Sequence, residues 1–332
     1  MADTPSSPII DFHVHFNDPE VYRRSNAHNV MSGFGTRPMA PATRGDGWRY
    51  DVQEKVKDPA LQIADMDKFG IGKHVVSMIS VSCNTDWAEP EDAAAMNRHA
   101  NEMNASWVQK YPDRFIGSFS LPMQDIGLAM KELDYAVDRL GAKVASVSSN
   151  CRGEYLGEEK FRPLWEAIYA RKLPVFVHPH GVTDMKLQKY FLWNGIGQPI
   201  EETRFMTSMI FDGMMDEFPG MTIVMAHGGG YLPHYMGRLD RNFENNPASR
   251  VNISKLPSEY LHDFYYDTCV YGADVLEALI AKVGVDRIVF GTDYPVGERD
   301  PFATLKACKS LTEADRTMIT RTTPAKILGE TN

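Results

Sequence analysis

Cysteine is scarce in this chain. Its 332 residues include four cysteines (Cys83, Cys151, Cys269 and Cys308), and no two of them form a C-x-x-C pair. Such wide spacing indicates neither a disulfide framework nor a thiolate zinc site, because both need paired or clustered cysteines. We therefore expect reduced, mostly buried thiols.

Long apolar runs and an excess of basic residues are also missing. No run approaches the roughly 20 apolar residues of a membrane span, and the N-terminus has neither the basic start nor the apolar segment of a secretory signal. The formal net charge is −9, whereas a nucleic-acid-binding face needs massed lysine and arginine. With 43% hydrophobic residues the chain can still build a core. These features predict a folded cytoplasmic protein that binds neither membrane nor nucleic acid.

What the chain does contain is a repeating alternation of strand-like and helix-like segments. The predicted strands are short, apolar and nearly free of charge, as expected when helices cover both faces of a parallel sheet. They span residues 9–16, 74–81, 115–121, 144–149, 174–180, 222–227, 264–269 and 287–293. Eight such units favour an α/β fold of the (β/α)8 TIM-barrel type, in one domain over 1–332, rather than an open doubly wound sheet. No G-x-G-x-x-G fingerprint of a dinucleotide site opens a helix.

Two segments interrupt this alternation. Residues 18–58, after the first strand, show no sustained helical or strand period, and residues 181–200, after the fifth, form a second predicted loop. Loops of this length in a compact domain usually serve a site, so we expect insertions over the barrel mouth, the first acting as a lid. The C-terminal segment 300–332 contains predicted helices at about 302–308 and 312–328, which we expect to pack against the outside of the barrel.

Polar residues fall at the ends of the predicted strands, where barrels of this class carry their active sites. His13 and His15 end the first strand, His178 the fifth, His227 the sixth and Asp293 the eighth. Alternation along a strand points the two histidines of the H-x-H pair to the same side. Alone, this pair fits ordinary strand histidines equally well. The joint placement instead favours a nitrogen and oxygen ligand set for a divalent metal, zinc first.

Five motifs occur in an order that resembles a known family. They are Asp-Phe-His-Val-His-Phe (11–16), Val-His-Pro (177–179), Ala-His-Gly-Gly-Gly (226–230), Pro-Ser-Glu-Tyr (257–260) and Gly-Thr-Asp-Tyr-Pro (291–295). Together they span nearly the whole chain and resemble the amidohydrolase superfamily, in particular the group typified by aminocarboxymuconate semialdehyde decarboxylase.

This resemblance implies one zinc ion per chain, with manganese as an alternative. The implied metal ligands are His13, His15, His178 and Asp293. His227 is implied to be an acid/base residue that does not bind the metal. Binuclear members of the superfamily use a carboxylated lysine at the end of strand four, but this strand ends in Ser-Ser-Asn (148–150). A single metal ion is therefore expected.

The resemblance also implies residues that bind the substrate. Arg49 and Arg238 look like the two arginines that hold substrate carboxylates, the second reaching in from a neighbouring subunit of a homodimer or homotetramer. A guanidinium fork suits a carboxylate. Judged from the residues alone, a solvated loop charge is favoured for Arg49 and a helix-surface ion pair for Arg238. His180 and Trp193 are further candidates for the pocket lining, although an aromatic residue near a barrel mouth can serve packing alone.

The implied activity is non-oxidative decarboxylation of an unsaturated or aromatic carboxylic acid, such as a carboxymuconate semialdehyde or a hydroxybenzoate in aromatic catabolism. His227 and Asp293 would handle the protons. Hydroxide addition to a carbon–carbon double bond and direct ring protonation both remain open. The H-x-H start favours the former, because relatives acting on hydroxybenzoates often carry Glu at its first position. The alternative activity is metal-dependent hydrolysis of a C–N, C–O or C–C bond. A non-catalytic metal-binding protein would leave His227 unexplained.

Overall fold

The computed structural model describes residues 7–25, 28, 47–180 and 185–330. Eight parallel strands lie side by side in chain order, which confirms the predicted barrel. They are β1 (Ile10–Phe16), β2 (Lys73–Met78), β3 (Phe115–Phe119), β4 (Val144–Ser148), β5 (Val175–His178), β6 (Ile223–Met225), β7 (Phe264–Asp267) and β8 (Ile288–Val289). An antiparallel hairpin of 150–151 with 154–155 follows β4.

Helices surround these strands. The α-helices of the described residues are α1 (Pro19–Ser25), α2 (Gly47–Lys55), α3 (Pro59–Phe69), α4 (Ser80–Cys83), α5 (Pro90–Lys110), α6 (Ile126–Asp138), α7 (Arg162–Ala170), α8 (Gln198–Phe211), α9 (Met214–Glu217), α10 (Gly237–Asn245), α11 (Ala273–Val283), α12 (Ala303–Ala307), α13 (Glu313–Thr317) and α14 (Thr323–Ile327). Among them is no helix of the length and apolar character that a bilayer crossing requires.

The barrel closes between its first strand and the chain that follows its last. The amide of Phe12 donates to the Phe290 carbonyl at 2.8 Å, and the amide of His15 donates to the Tyr294 carbonyl at 2.8 Å. Val14 and Tyr294 form a parallel bridge. This seam places the H-x-H pair next to the segment that carries Asp293.

A bulge interrupts β1 just before the first histidine. Between the pairs Asp11/His74 and Val14/Val76, β1 has one residue more than β2. Phe12 and His13 therefore both turn inward: their rings lie 6.3 and 5.0 Å from the Phe176 ring. Phe12 fills the barrel interior, and His13 begins the polar layer above it.

The segment 18–58 was predicted to be irregular, and this is wrong for its described parts. Helix α1 begins after Asp18, whose Oδ1 accepts the amides of Glu20 and Val21 at 2.9 Å each, and Pro19 suits a first helical turn. Helix α2 ends the segment. Helices of seven and nine residues are too short to show a clear period in the sequence. The stretch 29–46 lies outside the described residues, so the lid stays a prediction.

The second predicted loop is also partly helical. After residues 181–184, which lie outside the description, Met185–Phe191 has 3-10 turns interrupted by a kink at Lys189 and Tyr190, and a π-turn spans Trp193–Gly197. Helix α8 then begins at Gln198 rather than at residue 201, with Pro199 in its first turn. Proline is favoured there because the first amides of a helix have no partner within it.

The C-terminal helices were expected on the outside of the barrel, and this is wrong for the last of them. Ala325 and Leu328 are buried in the cluster that contains Ile10 and Phe12 from the barrel interior. The predicted single helix at 312–328 is divided into α13, a π-turn (Met318–Thr322) and α14. Apolar side chains at the open lower end of the barrel have to be covered, and α14 supplies part of that cover.

We expect the glycine turn after β6 to tolerate no side chain. Gly230 has φ 65° and ψ −135°, and a Cβ there would overlap the Pro199 carbonyl oxygen. Gly230→Ala should lower the free energy of unfolding by several kcal/mol. Gly141→Ala is the matched control, because Gly141 has φ 69° but open space around it, and should cost about 1 kcal/mol. Urea denaturation followed by circular dichroism measures both, and equal losses would contradict the packing argument.

Candidate metal centre

Four side chains from three separate parts of the chain meet at the upper end of the barrel. One ligand atom of each lies within 4.8 Å of the corresponding atom of every other, and the group consists of His13, His15, His178 and Asp293. The Nε2 atoms of His13 and His15 are 3.1 Å apart, and Asp293 Oδ1 lies 3.4 and 3.0 Å from them. The structure thus brings together the four residues that the sequence singled out. Their role as ligands remains a prediction.

The donor chemistry of this cluster fits a divalent cation. Burial, with neighbouring histidines adding to it, lowers the pKa of His15 and lowers that of His178 well below its ordinary value. Burial also lowers the pKa of His13, but Asp293 and Asp267 outweigh burial and raise it to about 9, so this ring has to lose a proton before it can bind an ion. Neutral imidazoles present nitrogen lone pairs, the form that ligates metals. Three imidazoles and one carboxylate converging in a buried space match a zinc or manganese ligand set.

The outer nitrogens of the histidines have their own partners. His13 Nδ1 lies 2.6 Å from Asp267 Oδ2, and His178 Nδ1 lies 3.1 Å from the Pro179 carbonyl and 2.9 Å from Ser80 Oγ. A bond at Nδ1 fixes the ring orientation and leaves Nε2 facing the centre. The ring positions are therefore set before any ion binds.

Asp267 lies below the histidine cluster and orients His13. It was not among the site residues predicted from the sequence. It ends β7, and its Oδ1 accepts the amides of Gly228 at 3.1 Å and Cys269 at 3.0 Å, while Oδ2 faces His13. Its side chain is fully buried. Asp267 is a polar residue at the C-terminal end of a barrel strand, as the predicted site residues are, so the same rule could have identified it.

His227 lies beside the cluster in a left-handed backbone conformation, with φ 47° and ψ 38°. Its Nδ1 is 2.6 Å from Glu202 Oε1, and its Nε2 is 3.7 Å from Asp293 Oδ2. Burial lowers the pKa of His227, but the Glu202 and Asp293 carboxylates outweigh burial and raise it well above its ordinary value. Glu202 lies on α8, and nothing in its local sequence marks it as a partner for a residue that follows β6.

The two oxygens of Asp293 have different neighbours. Oδ1 faces the histidine cluster, whereas Oδ2 accepts the Tyr271 hydroxyl at 3.2 Å and faces His227. Burial raises the pKa of Asp293, but His13, His15 and His227 reverse this effect and hold the pKa well below its ordinary value. One carboxylate thus connects the candidate metal position with the candidate acid/base residue.

Asp11 ties the two ends of the chain together below this carboxylate. Its Oδ2 accepts the Thr292 hydroxyl at 2.5 Å, and its Oδ1 accepts the amides of Thr292 and His13 at 3.2 and 3.1 Å. Burial raises the pKa of Asp11 to about 7, and the hydrogen bonds from Thr292 oppose that effect. The bonds set the position of Asp293 relative to the first strand.

The remaining predicted site residues lie in other surroundings. The His180 ring contacts the Asn84 amide and lies 3.9 Å from Asp86 Oδ2. Trp193 is buried, with its ring 4.8 Å from that of Phe191. Arg238 is exposed on α10 and has no hydrogen bond or ion pair with the described residues. The backbone of Arg49 lies in α2, but its side chain falls outside the description.

The architecture and the sequence both match known proteins. A family model described as amidohydrolase matches residues 10–329. The chain is 30% identical over 287 residues to gamma-resorcylate decarboxylase from Polaromonas sp. (81% of this chain, 85% of the relative). It is 29% identical over 270 residues to 2-amino-3-carboxymuconate-6-semialdehyde decarboxylase from Dictyostelium discoideum (80% and 75%). A crystal structure of 2,6-dihydroxybenzoate decarboxylase from Rhizobium superposes with a TM-score of 0.78 at 25% identity (97% and 99%).

The chain therefore belongs to the amidohydrolase family. Its expected enzyme class, a metal-dependent carboxy-lyase of unsaturated or aromatic carboxylic acids, is confirmed by these relatives, which are decarboxylases of such acids.

We expect Asp267→Asn to weaken metal binding. An asparagine that keeps its oxygen on the two amides turns its NH2 group toward His13 Nδ1, which favours the ring form with its proton on Nε2. Affinity for Zn²⁺ or Mn²⁺ should fall by about 10- to 100-fold. Competition with a chromophoric chelator measures this. Asp263→Asn, whose parent carboxylate pairs with Lys255 at 2.7 Å near the surface, is the control. Unchanged affinity in Asp267→Asn would contradict the orienting role.

Proposed function

We propose that this site decarboxylates a carboxylic acid whose carboxyl-bearing carbon belongs to an aromatic ring or a conjugated double bond. One observation carries the proposal: a single buried carboxylate, Asp293, faces His13 and His15 through Oδ1 and the protonatable His227 through Oδ2. This geometry suits a reaction that needs both a metal ion and a proton delivered to carbon.

We propose His13, His15, His178 and Asp293 as the residues that hold one divalent ion. When bound, the ion supplies positive charge that polarises and anchors a substrate oxygen. Zinc and manganese both suit the donor set. Manganese is bound in the crystal structure of dihydroxybenzoic acid decarboxylase from Polaromonas sp., a protein of the same fold (TM-score 0.79, 24% identity, 97% of each chain).

The proposed proton route runs from His227 to the substrate through Asp293. Replacing CO₂ by hydrogen consumes one proton at the carbon that bore the carboxylate. His227 Nε2 gives its proton to Asp293 Oδ2, which passes it to that carbon. The electrons of the broken carbon–carbon bond then restore the double bond or the ring as CO₂ leaves. Because the pKa of Asp293 lies well below its ordinary value, its protonated form is a strong acid toward carbon.

Glu202 supports this route by favouring protonated His227. A proton on Nδ1 is donated to Glu202 Oε1 at 2.6 Å, and the carboxylate favours the imidazolium electrostatically. A bound cation would offset the charge of Asp293, so Glu202 becomes the main group that holds the pKa of His227 up. Solvent returns the proton after each turnover.

For the substrate carboxylate we propose Arg49 and Arg238, the latter acting across the interface of a homodimer. Arg238 is exposed on α10 and has no ionic partner among the described residues, which suits contact with a second chain. His180 and Trp193 are proposed to line the pocket. Guanidinium groups bind carboxylates through paired hydrogen bonds.

A metal-dependent assay of CO₂ release tests the proposed activity. Chelator-treated protein, reloaded with Zn²⁺ or Mn²⁺, is incubated with 2-hydroxybenzoates and carboxymuconates. We expect CO₂ equimolar with the product that bears hydrogen in place of the carboxylate, and none before reloading. Transfer of solvent deuterium to the former carboxyl carbon should accompany it. Cleavage of test esters or amides without CO₂ release would instead support the alternative hydrolase.

Replacing His227 should stop proton delivery but leave the metal in place. His227→Ala is expected to lower kcat by about 10²- to 10⁴-fold, the range of positioned acid/base catalysis. Metal content, measured by atomic emission on the same sample, should remain that of the parent. His262→Ala is the control, because His262 is exposed and bonds only the Val283 carbonyl. Full turnover in metal-loaded His227→Ala would refute the proton route.

The pH dependence of kcat should depend on Glu202. A raised pKa keeps His227 protonated to higher pH, so activity should fall only as pH rises through that pKa. Glu202→Gln removes the neighbouring negative charge, and the alkaline limb should move to lower pH. Glu201→Gln, at the adjacent position of α8 where the carboxylate pairs with Arg204, is the control and should leave this limb in place. An alkaline limb that does not move in Glu202→Gln contradicts the pairing.

A further inference from the structure

A second group of potential metal ligands shares one residue with the proposed metal centre. One ring nitrogen of His13, one of His227 and the thiol sulfur of Cys269 all lie within 4.8 Å of one another. His13 and Cys269 are buried, and His227 is largely so. The proposed reaction uses no thiol, so the presence of Cys269 at this point is unexplained by catalysis.

The backbone fixes Cys269 in this position. Its amide donates to Asp267 Oδ1 at 3.0 Å, and the other oxygen of the same carboxylate faces His13. One buried carboxylate therefore sets both the histidine ring and the start of the segment that carries the thiol.

The two ligand groups differ in chemical softness. The group with His15, His178 and Asp293 offers nitrogen and oxygen, as Mn²⁺ prefers, whereas the group with Cys269 offers sulfur and nitrogen, as thiophilic ions prefer. Burial raises the pKa of the Cys269 thiol well above its ordinary value, so the thiol keeps its proton unless a cation displaces it. An ion of low sulfur affinity should therefore bind the nitrogen and oxygen group more tightly than the group with Cys269.

We propose that His13, His227 and Cys269 form an alternative, inhibitory site for a thiophilic divalent cation, with Cd²⁺ as the probe. Because His13 belongs to both groups, an ion bound here through the His13 nitrogen that faces the proposed catalytic position excludes an ion there. Binding forms a sulfur–metal bond and releases the thiol proton to solvent, together with any proton on the ligating nitrogen of His227; no redox change occurs. The inhibition rests on the proposed role of His227, but the binding does not.

Ultraviolet absorbance tests the binding. Full-length protein freed of metal by a chelator is titrated separately with Cd²⁺ and Mn²⁺, and the thiolate-to-cadmium charge-transfer band is followed. We expect the band with Cd²⁺ and none with Mn²⁺. Cys269→Ser should lose the band, and Cys308→Ser, which alters another buried thiol far along the chain, should keep it. Absence of the band in the parent protein, or its persistence in Cys269→Ser, would overturn the site.

Cys269→Ala serves as a second variant if the serine protein does not fold, because it removes the sulfur without introducing a hydroxyl group. It has the same expected loss of the band. Circular dichroism of each protein, recorded before the titration, identifies the folded variant to be used.

Inhibition of the Mn²⁺-loaded enzyme tests the consequence. Cd²⁺ should stop CO₂ release, and Cys269→Ser should raise the half-inhibiting concentration by at least about tenfold, relative to its own uninhibited rate. A charge-transfer band without loss of CO₂ release would overturn the inhibitory assignment. If the protein releases no CO₂ with any metal, the proposed function fails, while the absorbance titration still decides whether the cadmium site exists.

Discussion

The site depends on the seam that closes the barrel between its first strand and the chain after its last. Asp11 bonds to Thr292, 281 positions along the chain, and the backbone of His15 bonds to Tyr294. These contacts place two histidines from one end of the sequence against a carboxylate from the other. Without closure, His13 and His15 would lie at the opposite edge of an open sheet from Asp293, and no common ion position would exist.

Two residues of the site have unfavourable backbone conformations. Asp293 and His227 both have positive φ, 58° and 47°, which costs a side-chain-bearing residue about 1–2 kcal/mol. Polar groups with few solvent contacts meet above an apolar interior filled by Phe12 and Phe176. The surrounding hydrogen bonds stabilise these conformations. As a result, His227 Nε2 and Asp293 Oδ2 face each other at 3.7 Å.

Asp267 fixes the positions of further groups below the histidine cluster. Its two oxygens serve the ring of His13 and the backbone of two neighbouring strand ends. A single carboxylate therefore couples the orientation of a candidate ligand to the position of the Cys269 segment. Asp267 therefore affects both proposed metal sites. It orients His13, which belongs to the proposed catalytic group and to the proposed cadmium-binding group.

The periodicity and the motifs of the sequence predicted much of the architecture. Eight apolar segments predicted the barrel, and the strand-end rule identified His13, His178 and Asp293 because parallel strands put their C-terminal ends on one face. The same rule applied to Asp267 but was not used there. Helices α1 and α2 were not predicted, because short helices have too few turns to show a period. Segments 29–46 and 181–184 lie outside the described residues, so the predictions for them are not tested.

The sequence by itself determined the strand count, the types of the candidate ligands and their positions at the strand ends, because alternation and apolar patterning are local properties. Tertiary structure alone decided the bulge before His13, the pairing of Glu202 with His227 and the cover that α14 provides at the lower end of the barrel. It also decided that Cys269 lies near two histidines. Each of these depends on distances between residues far apart in the chain, which packing and barrel closure fix and local sequence does not encode.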